Sequence, residues 1–205
     1  MKRRFTTITA LLALAIGLAA GQARAASKSD ELRAGMRKLW EDHITWTRLF
    51  IISALGDLPD NAATTERLLQ NQTDIGNAIK PFYGEAAGSK LTALLRDHIL
   101  IAADIVKAAK ISDTAALNAA KTRWTANADE IAAFLSGANP KNWPAADMKM
   151  MMHDHLQATT AELEARLNKD WKADVAAYDR VHQQILKMAD ELTDGIVKQF
   201  PGKAA

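Results

Sequence analysis

The sequence predicts an all-α protein, an up-and-down helical bundle of about six helices arranged as three antiparallel hairpins. Three observations carry that expectation. Asp42-His43-Ile44 recurs as Asp97-His98-Ile99 and as Asp154-His155-Leu156, 55 and then 57 residues apart. Asp makes up 16 of the 205 residues, so a His follows one by chance roughly 8% of the time; three of the five His doing so marks a repeat long enough for one helical hairpin. Apolar residues recur at alternating spacings of three and four, with no competing strand alternation. Gly and Pro fall mainly between these segments, and the connections are short, which favours antiparallel neighbours.

The N-terminus reads as an address. Lys2-Arg3-Arg4 is a positive n-region, Ile8 to Ala20 a mostly apolar stretch, and Ala23-Arg24-Ala25 a small-residue cleavage site. Together they predict a cleaved signal peptide over 1–25, with an apolar run too short for a typical membrane span. No Cys follows the cleavage site, which excludes a lipoprotein anchor. Arg3-Arg4-Phe5 faintly resembles a twin-arginine signal, but the ordinary secretory route is the simpler reading. The mature chain, 26–205, is expected to be a single domain, periplasmic or secreted, with no membrane anchor. Removing four basic residues leaves 22 basic against 24 acidic groups, a net charge of −2, so nothing favours nucleic acid or an anionic surface. Zero Cys excludes disulfides, thiolate metal sites and covalent haem attachment, and leaves stability to apolar packing.

The helices are expected near 30–57, 61–80, 85–110, 113–136, 144–168 and 171–199. Gly56-Asp57-Leu58-Pro59-Asp60 breaks the first pair, and Pro81-Phe82-Tyr83-Gly84 ends the second helix. Ser112-Asp113 opens the fourth as an N-cap. Gly137-Ala138-Asn139-Pro140 and Trp143-Pro144 form the longest connection. The inward seam of the first helix is Met36, Trp40, His43, Thr47, Phe50 and Ala54. That of the third is Leu91, Leu95, His98, Ala102, Ile105 and Ala109. On the sixth helix Val175, Tyr178, His182, Ile185, Ala189, Leu192 and Ile196 form the clearest stripe. His155 sits at the edge of the face marked by Met152, Leu156, Leu163 and Leu167.

The second helix of each hairpin adds polar residues. Asn71 and Asp74 are three apart, as are Asn127 and Glu130, and Asp179 with His182 takes the related place in the third hairpin. Asp129 competes with Glu130 for the acid. The offsets from the repeat histidine to Asn71, Asn127 and Asp179 are 28, 29 and 24 residues, the last being shorter by about one turn. Imidazoles and carboxylates on inward faces are the ligands that Zn, Fe, Mn, Ni or Cu(II) accept. The expected metal ligands are therefore His43, His98 and His182, with Asp74, Glu130 and the edge residue His155. Asn71, Asn127, Asp129 and Asp179 would bind or orient the ligand. The Asp preceding each repeat His points about 100° away and is expected to face water or a neighbouring helix.

Two other readings stand beside this one. A seam His can hydrogen-bond across the bundle and simply set helix register. An enzyme using His and Asp as acid and base would need an open pocket; the Glu-x-x-His pair of di-iron bundles is absent, as are phosphate loops and hydrolase elbows, so the balance leans against catalysis. Met148, Met150, Met151 and Met152 beside His153 and His155 offer either a soft Cu(I) site or adaptable packing, with packing preferred. Trp40, Trp46, Trp124, Trp143 and Trp171 read as core and hairpin-end anchors.

Several stretches together resemble a family of exported, all-helical bacterial proteins of unknown function. They are Leu39-Trp40-Glu41-Asp42-His43 with Trp46-Thr47-Arg48, Leu68-Leu69-Gln70-Asn71 with Asp74, Pro81-Phe82-Tyr83-Gly84, Arg123-Trp124 with Asn127-Ala128-Asp129, and Tyr178-Asp179-Arg180-Val181-His182 through Met188-Ala189-Asp190 to Gln199-Phe200-Pro201. The resemblance implies the fold and the single domain, but no activity. It marks His43, Asn71, Asp74, Asn127, Asp129, Asp179 and His182 as a set to inspect.

Overall fold

A computed structural model describes residues 27–204, so the signal peptide expected over 1–25 lies outside the described residues. Six long helices account for nearly all of them: α1 (Lys28–Leu55), α2 (Asn61–Tyr83), α3 (Glu85–Lys110), α4 (Thr114–Ala138), α5 (Ala145–Leu167) and α6 (Trp171–Gln199), followed by a single turn, α7 (Pro201–Ala204). Each helix packs on its neighbours in sequence and α6 returns to α1, closing the ring. The three hairpins are thus strapped around one core.

Local chemistry sets the boundaries. Ser27 caps α1 with a complete capping box, its hydroxyl accepting from Asp30 N while the Asp30 carboxylate accepts from Ser27 N. The α1–α2, α3–α4 and α5–α6 turns share one device. Asp57, Ser112 and Lys169 have φ of 51°, 57° and 57°, each 14 residues after its repeat histidine. The next residue then donates its N–H back five positions, from Leu58 to Ser53, Asp113 to Ala108 and Asp170 to Ala165, each at 3.0 Å. None of the three is Gly, so each turn costs about 1 kcal/mol of backbone strain, which the surrounding contacts must offset. Asp113 and Asp170 then cap the following helices through Ala116 N and Ala173 N. The second helix runs to Tyr83, past the end expected near residue 80. Pro81 sits in the last turn of α2, and Lys80 O is still bonded, by Gly84 N.

At the opposite end, Phe82, Tyr83, Trp143 and Phe200 pack with ring centroids 5.1–5.8 Å apart. The long α4–α5 connection is tied down by Asn139 Nδ2 donating to Gly195 O and Trp143 Nε1 donating to Glu191 O. All six helices feed one continuous apolar core, and full burial of each Ile or Leu contributes about 1.5–3 kcal/mol. The carboxylates of Glu162 and Asp174, each 2% exposed, are held by Arg48, with Arg166 also on Asp174. That network joins α1, α5 and α6 where an apolar contact would otherwise be expected.

The C-terminal half of the expected α6 stripe, Ile185, Ala189, Leu192 and Ile196, is buried, and its N-terminal half is set one position differently. Asp174, Ala177, Val181, Ile185, Met188 and Leu192 are buried, whereas Val175 is 55% exposed. Of the tryptophans, Trp40, Trp124 and Trp143 are buried, Trp46 is partly covered beneath Arg67, and Trp171 is exposed at a hairpin end beneath Arg166.

Close helix contact leaves no room for a Cβ at Gly76, Gly88 and Gly195, whereas Gly35 and Gly137 are replaceable. A Cβ on Gly76 would collide with Thr92 Oγ1 and lie 2.6 Å from Gly88 O, and one on Gly195 would enter the Trp143 indole. Gly76→Ala and Gly195→Ala should each destabilise the protein by about 1–3 kcal/mol in urea unfolding. Gly35 and Gly137 face open space, so Gly35→Ala and Gly137→Ala should each stabilise by about 0.5–1 kcal/mol.

Candidate functional site

His43 on α1, His98 on α3 and His155 on α5 meet inside the ring. They are 3%, 2% and 4% exposed, and the His155 ring lies 5.8 Å from that of His43 and 6.2 Å from that of His98, centroid to centroid. Each comes from the first helix of its hairpin, so the Asp-His repeat is a repeat in space as well as in sequence.

A carboxamide from the second helix accompanies each one. Asn127 Nδ2 donates to Leu94 O, four residues before His98, and its Oδ1 lies 2.8 Å from His98 Nδ1. Gln184 Nε2 donates to Met151 O, four residues before His155, and its Oε1 lies 3.2 Å from His155 Nδ1. Asn71 Nδ2 donates to Leu39 O, four residues before His43, while its Oδ1 accepts from Gln72 Nε2. A backbone carbonyl can only accept, so each amide must turn its NH2 there and its oxygen towards the centre of the bundle. His98 and His155 therefore carry their protons on Nδ1, leaving Nε2 as the basic nitrogen. Tryptophans flank the layer: Trp40 meets His43 edge-on at 5.7 Å and Trp124 lies 5.1 Å from His98.

Burial is the main influence on these imidazoles. It pushes His98 down to about 3 and His155 to about 4, with the Asn127 and Gln184 hydrogen bonds pulling the other way. His43 is driven well below its ordinary value by burial and then by the proximity of His155 and His98, with the side-chain amides of Gln72 and Asn71 pulling the other way. All three are neutral at neutral pH, and the Nε2 lone pair of His98 is left without a partner. His43 Nδ1, His98 Nε2, Trp40 Nε1 and Trp124 Nε1 are buried without a hydrogen-bond partner. Among the described residues no group of three or more His, Cys, Asp or Glu is arranged to hold a metal ion, so the three rings are close but do not form a finished coordination sphere.

The other expected site residues lie elsewhere. His182 is on the outside of α6, 41% exposed, with Nε2 2.8 Å from Glu41 Oε1 and its ring stacked on Tyr178. Asp74 accepts from Gln70 and pairs with Arg67 on the surface, and Glu130 and Asp179 are exposed. Asp129 bridges to Lys149 and His153 across α4 and α5. The third amide is Gln184, 29 residues after His155 and in register with Asn127 at 29 and Asn71 at 28. Choosing Asp179 at 24 required a missing helical turn that the chain does not lack. As expected, Asp97 and Asp154 face solvent and Asp42 pairs with Lys38 and Arg67.

A cavity of about 30 Å³ lies beside this layer, lined by Thr47, Phe50, Trp124 and Thr159 among others. It has room for a water molecule, which could satisfy Thr159 Oγ1, itself buried without a partner. No helix among the described residues is long and apolar enough to cross a membrane. Comparison with protein-family models, curated proteins and solved structures finds no match to the chain.

Two predictions test this geometry. Asn127→Ala and Gln184→Ala each leave a ring N–H unpaired in the core and remove the side-chain tie between the two helices of the hairpin. Each should cost about 2–4 kcal/mol by denaturant unfolding, whereas Asp179→Ala should stay within about 0.5 kcal/mol. For pH, the unfolded chain takes up protons near the ordinary histidine value of 6.5, while the folded chain resists until about 4 at His155 and about 3 at His98. The histidine contribution to stability is therefore complete above pH 6.5 and is lost as pH falls below it. His155 alone gives up on the order of 3 kcal/mol by pH 4. Burial raises Glu162, which acts in the opposite sense nearer its own range, so pH 6.5 to 5 is the window to measure. Melting temperature should fall there in the native protein and fall less in His155→Gln; a flat profile would show that the rings are not buried neutral.

Proposed function

We propose that this is an exported helical bundle that binds a divalent transition metal, or a small ligand in its place, through His43, His98 and His155. The observation that carries the reading is the buried, unpartnered Nε2 of His98 on one of three imidazoles that converge from separate hairpins. An unpaired buried acceptor costs about 1–3 kcal/mol, and a bound cation would relieve that cost. The amides add support. A histidine that ligates a metal usually donates its other N–H to a carbonyl or carboxylate, which fixes the tautomer, and Asn127 and Gln184 stand where such partners would. A metal bound here would supply Lewis acidity or a redox couple. The chain itself would supply neutral nitrogen donors, hold their tautomers and exclude water. Export to the periplasm or beyond rests on the Lys2-Arg3-Arg4, Ile8–Ala20 and Ala23-Arg24-Ala25 pattern.

The absence of a preformed ligand group among the described residues favours a second reading, in which the same layer only fixes helix register and no ligand is taken. Elemental analysis and thermal unfolding separate the two. Metal binding predicts about one equivalent of transition metal in protein purified without chelator, and a melting temperature lowered by EDTA and restored by Zn(II), Ni(II) or Co(II). At a free metal concentration 100 times Kd the stabilisation is about 2.7 kcal/mol. His98→Ala and His155→Ala should abolish the response and His182→Ala should keep it. No retained metal and no shift with any of the three ions would reject the site and leave the register-setting network.

A further inference from the structure

Between α5 and α6, a groove at the edge of the core encloses about 280 Å³ and concentrates one chemistry. Met148, Met150, Met151 and Met188 all line it. These are four of the chain's seven methionines, and of the other three Met1 lies outside the described residues. Met148 and Met151, three apart on α5, form one wall and Met188 on α6 belongs to the other. These three are 3%, 7% and 2% exposed, while Met150 is 60% exposed. Asp147, Asp154, Glu191 and Asp194 also line the groove, against Lys187 and Lys198. Lys187 pairs with Glu191, and Asp194 with Arg33, so Asp147 and Asp154 are the rim carboxylates outside these ion pairs.

We propose that this groove is a Cu(I) site built from the thioethers of Met148, Met151 and Met188. Thioether sulfur is a soft, polarisable donor that holds Cu(I) and its analogue Ag(I) while having little affinity for hard divalent cations. In a core, methionine is mainly a flexible gap-filler, and Met148, Met151 and Met188 share the apolar core with Met36 and Met152, but unlike those two they also line the groove. Gathering four along one solvent-connected groove beneath an acidic rim is a different arrangement. The rim draws a cation in and the sulfurs select a soft one. An exported protein without Cys has no thiolates to compete for it. The site does not depend on the core imidazoles, although Gln184 lines the groove and also holds His155.

The test is anaerobic titration of the full chain with Cu(I) in competition with bathocuproine disulfonate. One equivalent should be withdrawn from the chelator. Combined Met148→Leu, Met151→Leu and Met188→Leu, which nearly conserves volume, should weaken binding at least tenfold, while Met36→Leu and His98→Ala should leave it unchanged. Because the triple variant could fail to fold, a second measurement uses native protein labelled with 13C at the methionine methyls. Added Ag(I) should shift the Met148, Met151 and Met188 resonances and not that of Met36. No Cu(I) withdrawn, no methyl shift, or affinity lost in His98→Ala but kept in the methionine variant would each overturn the proposal. The last outcome would place the copper in the core and leave the imidazole reading standing.

Discussion

The structure depends on one repeated interaction: a side-chain amide on the second helix of each hairpin donating to a carbonyl on the first. A main-chain carbonyl inside a helix already accepts one N–H, and its second lone pair is normally left alone. Here Leu39, Leu94 and Met151 each use it. Because the amide must lie within about 3 Å of a given main-chain atom, the two helices of a hairpin cannot slide by even one residue without losing it. Greasy stripes alone tolerate such slips, since one leucine fits much as another does. The amide fixes register, and the fixed register brings the three histidines to one level.

The same constraint explains what surrounds the layer. An amide committed to a carbonyl presents its oxygen inward, so the histidine facing it must offer a proton, and the opposite ring nitrogen is left with a lone pair in a dry place. His98 shows the full arrangement, with Asn127 on Nδ1 and nothing on Nε2. His43 is the exception. Its Asn71 oxygen also accepts from Gln72, and its Nδ1 has no hydrogen bond as close as the one His98 makes with Asn127. The three hairpins are therefore equivalent in backbone and turn, but the ring of His43 differs from those of His98 and His155 in its hydrogen bonding.

Much of this was legible in the sequence, and the failures have physical causes. Helix ends followed from Gly, Pro and Asp placement, and the repeat histidines from their spacing. His43 and His98 fell on clean stripes, so both their burial and the amides Asn71 and Asn127 could be anticipated. His155 looked marginal because α5 buries polar Thr159 and Glu162 along with its apolar face, which blurs the periodicity. Along α6 the expected face holds from Ile185 to Ile196 and differs only before it, because buried Asp174, paired with Arg48 and Arg166, does not read as a core residue. Without it Val175 seemed to start the face, and His182 was carried inward. Once His182 was counted as inside, Gln184 could not be. Holding the amide offset constant at 28 or 29 would have found Gln184, a signal that the apolar pattern overrode.

Burial also bears on why polar rings persist here at all. Replacing a satisfied polar cluster by apolar side chains of similar volume is often neutral or stabilising, and this core has the isoleucines and leucines to do so. Yet each hairpin keeps an imidazole, an amide and a tie to the main chain, and two of the three hairpins keep a tryptophan against the layer whose indole N–H is also unpartnered. Register alone would be met by the amide and its carbonyl, since that bond spans both helices without the ring. The imidazoles are what the register argument leaves unexplained. Their neutral, inward-facing nitrogens are therefore the atoms on which a functional account of this bundle has to rest.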